Sequence, residues 1–225
     1  MKLLTKSALL ITLLFTSVFM TVQKKTKILF FGDSITQAGV GPQGFITKLG
    51  QMLQAKGLDT KYELTGAGIG GNKVYDLYLR LEDDVLAKAP DVVLIWVGVN
   101  DVWHKSSYGT GTDADKFPRF YAAIIKKLQA KNCKVYLVTP AAIGEKTDNT
   151  NQQDGDLNLY SSIIRNLATE YNCGLIDLRK DFLQYNLGNN PGNKESGILT
   201  TDRVHLNEKG NQLVAEKMFD KVIAH

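Results

Sequence analysis

The stretch Lys27–Gly39, KILFFGDSITQAG, decides how the rest of the chain is read. Ile28, Leu29, Phe30 and Phe31 form an apolar run without alternation, the mark of a strand buried on both faces. Gly32, Asp33 and Ser34 then stop it abruptly. A strand covered on both sides implies a parallel sheet between helical layers. Residues that follow such strands collect on one rim, where ligands bind. The small alcohol at this lip has two readings. Either Gly32 makes a turn and Asp33 or Ser34 caps the next helix, or Ser34 is a nucleophile on a tight turn, served by a base from elsewhere.

Working outward, the same alternation repeats. Apolar runs predict strands over residues 27–32, 60–65, 91–98, 133–139 and 173–178. Amphipathic segments predict helices over 43–57, 72–88, 114–131, 155–171 and 207–222. In the third of these, Ala122, Ile125, Leu128 and Gln129 mark the inner stripe and Lys126 and Lys127 the outer face. Strand then helix, repeated, gives right-handed crossovers and one doubly wound α/β domain. The rim segments are then GDSITQAG, GAGIGGN, GVNDVWH, the polar loop after the fourth strand, and the stretch from Arg179 to Asn207.

Composition bounds the function classes. The 225 residues are 44% apolar and 22% charged, ordinary for one globular domain. The net charge of +4 falls to +2 once Lys2 and Lys6 are set aside. No basic run or aromatic-basic stripe remains, so a nucleic-acid partner has no support. Lys2 and Lys6 precede an apolar run from Ala8 to Val22, the layout of a secretory signal peptide over residues 1–22. The domain then spans 23–225 and the protein is expected to be exported, to periplasm or medium. The alternative is an uncleaved leader holding it to a membrane. Cys133 and Cys173 each open a predicted strand. They read as two buried thiols, or as a disulfide if those strands are parallel neighbours in level register. No spacing suggests a metal site, and no cofactor motif appears.

The base for Ser34 is constrained by a shortage, for the chain has only His104, His205 and His225. His225 is the last residue. His104 follows the third strand and can face substrate. His205 stands three residues after Asp202, close enough for the carboxylate to hold a ring nitrogen; the plain alternative is a capping Asp and a surface His. Developing negative charge needs donors. Gly71 lies at the foot of a helix, where N–H groups lack partners. Asn100 ends the third strand with a side-chain amide. Each also fits an ordinary turn or cap.

Taken in order, Gly32-Asp33-Ser34-Ile35-Thr36, the turn ending at Gly71, Gly98-Val99-Asn100-Asp101 and Asp202-x-x-His205 resemble the GDSL/SGNH hydrolase family, from about Lys27 to the C-terminus. The resemblance implies a flavodoxin-like three-layer α/β/α sandwich with a five-stranded parallel sheet. It makes Ser34 the nucleophile, His205 the base and Asp202 its partner. The Ser34 and Gly71 amides and the Asn100 side chain would form the oxyanion hole. In the second block Gly66 replaces the family's usual Asn and Asn72 its Asp, which is expected to alter the support of the loop and spare the donor. GAGIGG, residues 66–71, also satisfies a dinucleotide-binding turn, but no acid follows at the required distance and Asp202 and His205 would have no role.

The family's activity implies an ester substrate and no cofactor. The segments SSYGTGTDADK and EKTDNTNQQDGD near the site are polar, and Trp103, His104 and Tyr108 can contact a sugar ring. Hydrolysis of a small acyl ester, acetyl above all, on a carbohydrate is the expected activity. Lysophospholipase or thioesterase chemistry is the alternative within the family. An exported carbohydrate-binding module without catalysis is the alternative outside it.

Overall fold

The computed structural model describes residues 24–224; the expected signal peptide, residues 1–22, and His225 lie outside them. Five parallel strands, β1 (Thr26–Gly32), β2 (Tyr62–Gly68), β3 (Val92–Trp96), β4 (Lys134–Val138) and β5 (Gly174–Ile176), form one sheet in the order β2-β1-β3-β4-β5. Helices cover both faces. They are α1 (Ser34–Ala38), α2 (Phe45–Ala55), α3 (Val74–Asp84), α4 (Val99–Tyr108), α5 (Phe117–Gln129), α6 (Asp154–Glu170), α7 (Leu178–Asn189) and α8 (Glu208–Met218).

Burial follows from position in the sheet. β1 and β3 have neighbours on both sides and helices on both faces, so Ile28–Phe31 and all of Val92–Trp96 are buried. The edge strands are the less buried β2 and the three-residue β5, too short to invite further pairing. α2 packs on α8, while α5 packs on α3 and α6. The chain therefore leaves β1 towards one face and β3 towards the other. That divergence opens a crevice at the carboxyl ends of β1 and β3, the topological switch point of such sheets.

Three helices stand where the sequence suggested only rim segments. α1 begins at Ser34 itself, α4 begins one residue after Gly98, and α7 occupies the start of the Arg179–Asn207 stretch. The inner stripe of α5 is also rotated from the expected one. It runs through Phe117, Tyr121, Ile124, Ile125 and Leu128, while Gln129 is exposed and Lys127 pairs with Glu82 at 2.7 Å. β2 extends through Gly66 to Gly68, so half of GAGIGG is strand and no helix opens directly from it.

Both cysteines are free. β4 and β5 are parallel neighbours as the disulfide needed, but Tyr136 pairs with Gly174, which sets Cys173 two residues further along the sheet than Cys133. The Cys133 thiol instead donates to Pro90 O at 3.2 Å.

Candidate active site

Ser34 stands at the end of β1 as the first residue of α1. The two sequence readings of this lip are compatible in one geometry. The Asp33 carboxylate caps the helix by accepting from Ile35 N at 3.0 Å, which leaves the Ser34 hydroxyl free to face the crevice. Its Oγ lies 2.9 Å from His205 Nε2. On the other side of the ring, Nδ1 lies 2.7 Å from Asp202 Oδ2. A carboxylate only accepts, so Nδ1 carries the proton and Nε2 is the acceptor for the Ser34 hydroxyl.

Asp202 is held by its own loop. Its Oδ1 accepts from His205 N at 2.8 Å and Val204 N at 3.1 Å. Partial burial works against its charge, but the His205 ring and these two amides outweigh it and keep the carboxyl below the usual range. The loop is closed at its base by an antiparallel bridge between Thr200 and Leu206, and Thr201 N donates to His205 O at 2.8 Å.

Donors gather beside Ser34. The N–H groups of Ser34 and Gly71 have no hydrogen-bond partner among the described residues. A Cβ placed on Gly70 would lie 3.9 Å from Ser34 Cβ, which puts this turn against the serine. Gly71 has φ +76° and Gly98 has φ +130°, conformations that a side chain would strain. Asn100 is buried at the start of α4, and its Nδ2 donates one hydrogen to Asn72 O at 3.1 Å. The second hydrogen of that amide has no partner among the described residues.

Residues 30–213 match the model of the GDSL-like Lipase/Acylhydrolase family. The chain belongs to that family. Members are ester hydrolases, and this protein is a carboxylic ester hydrolase. The crystal structure of an acetyl xylan esterase, AlAXEase, is 68% identical with a TM-score of 0.87, covering 88% of this chain and 100% of that one. An acetylxylan esterase of Geobacillus stearothermophilus is 27% identical over 221 residues, 90% of this chain and 96% of that protein. A variant of an acetyl-xylooligosaccharide esterase from Geobacillus superposes with a TM-score of 0.78 at 25% identity, over 91% of this chain and 97% of that one.

For a GDSL-family site, the departure at Asn72 has a visible consequence. Arg80 of α3 donates from Nε to Asn72 Oδ1 at 2.7 Å, and from one terminal nitrogen to Gly32 O at 2.7 Å and Ala67 O at 3.0 Å. A neutral amide thus accepts where the family has a carboxylate. One guanidinium ties the ends of β1 and β2 to the turn that carries Gly71, and its plane lies over Phe31 at 4.5 Å. Sequence reasoning missed Arg80 because a lone Arg on an amphipathic helix looks like surface.

The aromatic residues flank the relay on α4. The Trp103 ring lies 6.3 Å from that of His205, and the rings of His104 and Tyr108 are 5.0 Å apart. His104 Cε1 would be 3.8 Å from a Cβ on Gly71, and burial followed by the nearby Lys73 charge lowers its pKa. Trp103 is half-buried against the core and Tyr108 is 72% exposed, so the two are not equivalent. The polar loop after β4 differs from expectation. Glu145 is buried, and Asp154 pairs with Arg179 at 2.7 Å, so part of that loop is structural.

Two buried carboxyls complete the surroundings. Burial pushes Asp33 up to about 7, with the neighbouring Asp101 adding to the effect. Burial also pushes Asp101 up to about 6, while its Oδ1 accepts from Val74 N at 3.2 Å.

Proposed function

We propose that this hydrolase removes acetyl groups from carbohydrates by two-step acyl transfer at Ser34. The observation that carries the reading is the relay itself, Ser34 Oγ at 2.9 Å from His205 Nε2 with Asp202 on the opposite ring nitrogen. In the first step Ser34 Oγ attacks the ester carbonyl while its proton passes to His205 Nε2. The imidazolium that forms is stabilised by Asp202, and the oxyanion takes hydrogen bonds from the Ser34 and Gly71 amides and the free Asn100 hydrogen. His205 then protonates the departing sugar oxygen. A water molecule, deprotonated by His205, attacks the acyl-enzyme and releases acetate, restoring the serine.

The acetylxylan esterase relatives support an acetylated sugar as substrate. So do the aromatic side chains of Trp103, His104 and Tyr108 on α4, against which a sugar ring can pack. The basic and then apolar N-terminal sequence supports export, where polymeric carbohydrate is met. The test is acetate release from acetylated xylo-oligosaccharides beside a series of 4-nitrophenyl esters. Acetate release with activity falling steeply as the acyl chain lengthens is expected. A preference for long-chain esters or lysophospholipid would contradict the reading.

A further inference from the structure

Glu145 lies in the segment after β4 and is only 1% exposed. A carboxylate at such depth is costly unless its oxygens are filled. Here they are met by three consecutive backbone amides. Oε2 accepts from Ile198 N at 2.8 Å, and Oε1 accepts from Leu199 N at 2.6 Å and Thr200 N at 2.8 Å. Its own backbone is engaged with the same region, donating to Glu195 O at 3.0 Å and accepting from Asn190 Nδ2 at 2.9 Å. The neighbouring Gly144 N donates to Arg203 O at 2.9 Å.

These contacts fall at two points of one loop. Leu199 and Thr200 form its base, since Thr200 bridges Leu206 and Asn207 N donates to Leu199 O at 3.0 Å. Arg203, between Asp202 and His205, has φ +85°, a strained conformation for a residue with a side chain. Such strain persists only where the surroundings over-determine it, and the Gly144 amide does this at the Arg203 carbonyl. Both Asp202 and His205 ride on this loop.

Resting on the reading of Ser34, His205 and Asp202 given above, we propose that Glu145 is a positioning residue for the reaction. It fixes the base of the loop, so that the ring of His205 is presented to Ser34 at hydrogen-bonding distance. Glu145 does not touch the reacting atoms.

Glu145→Gln tests this while keeping the shape of the side chain. One acceptor oxygen becomes an NH₂ group that faces a backbone N–H, so at least one of the three bonds is lost. On 4-nitrophenyl acetate, kcat is expected to fall about 10- to 100-fold with KM changed less than about two-fold, because small misplacements of reacting groups cost this much. Leu128→Ala, in the buried seam of α5, is the comparison. It should lower the melting temperature yet keep wild-type kinetics well below that temperature. Wild-type kinetics in folded Glu145→Gln would overturn the proposal, and so would an equal loss of kcat in Leu128→Ala at matched stability. Should Glu145→Gln fail to fold, hydrogen exchange of the wild type decides: slow exchange at Ile198, Leu199 and Thr200 is expected, and exchange at open-loop rates would overturn the latch. Ser34→Ala, run alongside, separates the two ideas. Full activity there removes the serine esterase reading itself, whereas an inactive Ser34→Ala beside an unimpaired Glu145→Gln removes only the positioning role.

Discussion

Ser34 Oγ and His205 Nε2 are 2.9 Å apart across 171 positions of sequence. The parallel sheet makes this meeting possible, since β1 delivers the serine to the rim and the segment after the last strand returns to the same rim. His205→Ala removes the acceptor for the serine proton without touching the core. It is expected to lower kcat by several orders of magnitude, with an unchanged melting profile, when acetate release and thermal unfolding are measured on one preparation.

Asn100→Ala separates the proposed oxyanion donor from the relay. The substitution removes the amide hydrogen that has no partner among the described residues together with the one given to Asn72 O. A loss of about 10²–10³ in kcat is expected, the usual scale for one such donor. Steady-state kinetics would show this as a fall in kcat with KM nearly constant; an effect confined to KM would place Asn100 in ground-state binding instead.

Arg80→Ala should cost both stability and rate. Four hydrogen bonds from the guanidinium hold Asn72, Gly32, Ala67 and Asp84 together, and the carbonyl partners would be left without it. A destabilisation of about 3 kcal/mol in urea melts is expected, since several charge-assisted bonds are lost at once. Arg80→Lys should not restore wild-type behaviour, because a single ammonium cannot reach Asn72 and both strand ends.

Asp33 gives the fold a pH signature of definite sign. Its folded value of about 7 lies above the ordinary 3.8, so as pH rises between these values the unfolded chain loses its proton first. Stability therefore falls as pH rises from about 4 to about 7, and levels off above. Asp202 acts oppositely, because its carboxyl is depressed; its contribution is present above the unfolded value and is lost as pH falls through the folded one. Asp33→Asn keeps an oxygen to cap α1 and cannot ionise. Its melting temperature should gain on the wild type between pH 5 and pH 8, and an unchanged difference would contradict the assignment.

Much of this was legible in the sequence, for stated reasons. The apolar runs of β1, β3 and β4 declared a buried parallel sheet, and the residues just beyond β1, β2 and β3 supplied the candidates Ser34, Gly71 and Asn100. α1 and α4 were hidden because each begins directly at a motif, where a Gly and polar residues look like a turn. Glu145 and Arg80 were hidden for a different reason. A charged side chain is read as solvent-facing unless its partner is known, and here the partners are backbone groups 48 or more residues away in the chain for Gly32 and for Ile198–Thr200. The register of β4 and β5, which separates Cys133 from Cys173, depends on packing and left no local mark.

The most direct test of the account is labelling with a fluorophosphonate probe, read by intact mass on the wild type and Ser34→Ala. The account predicts one adduct on the wild type and none on the variant. A folded wild type that takes no adduct, or a variant labelled as readily as the wild type, would contradict it.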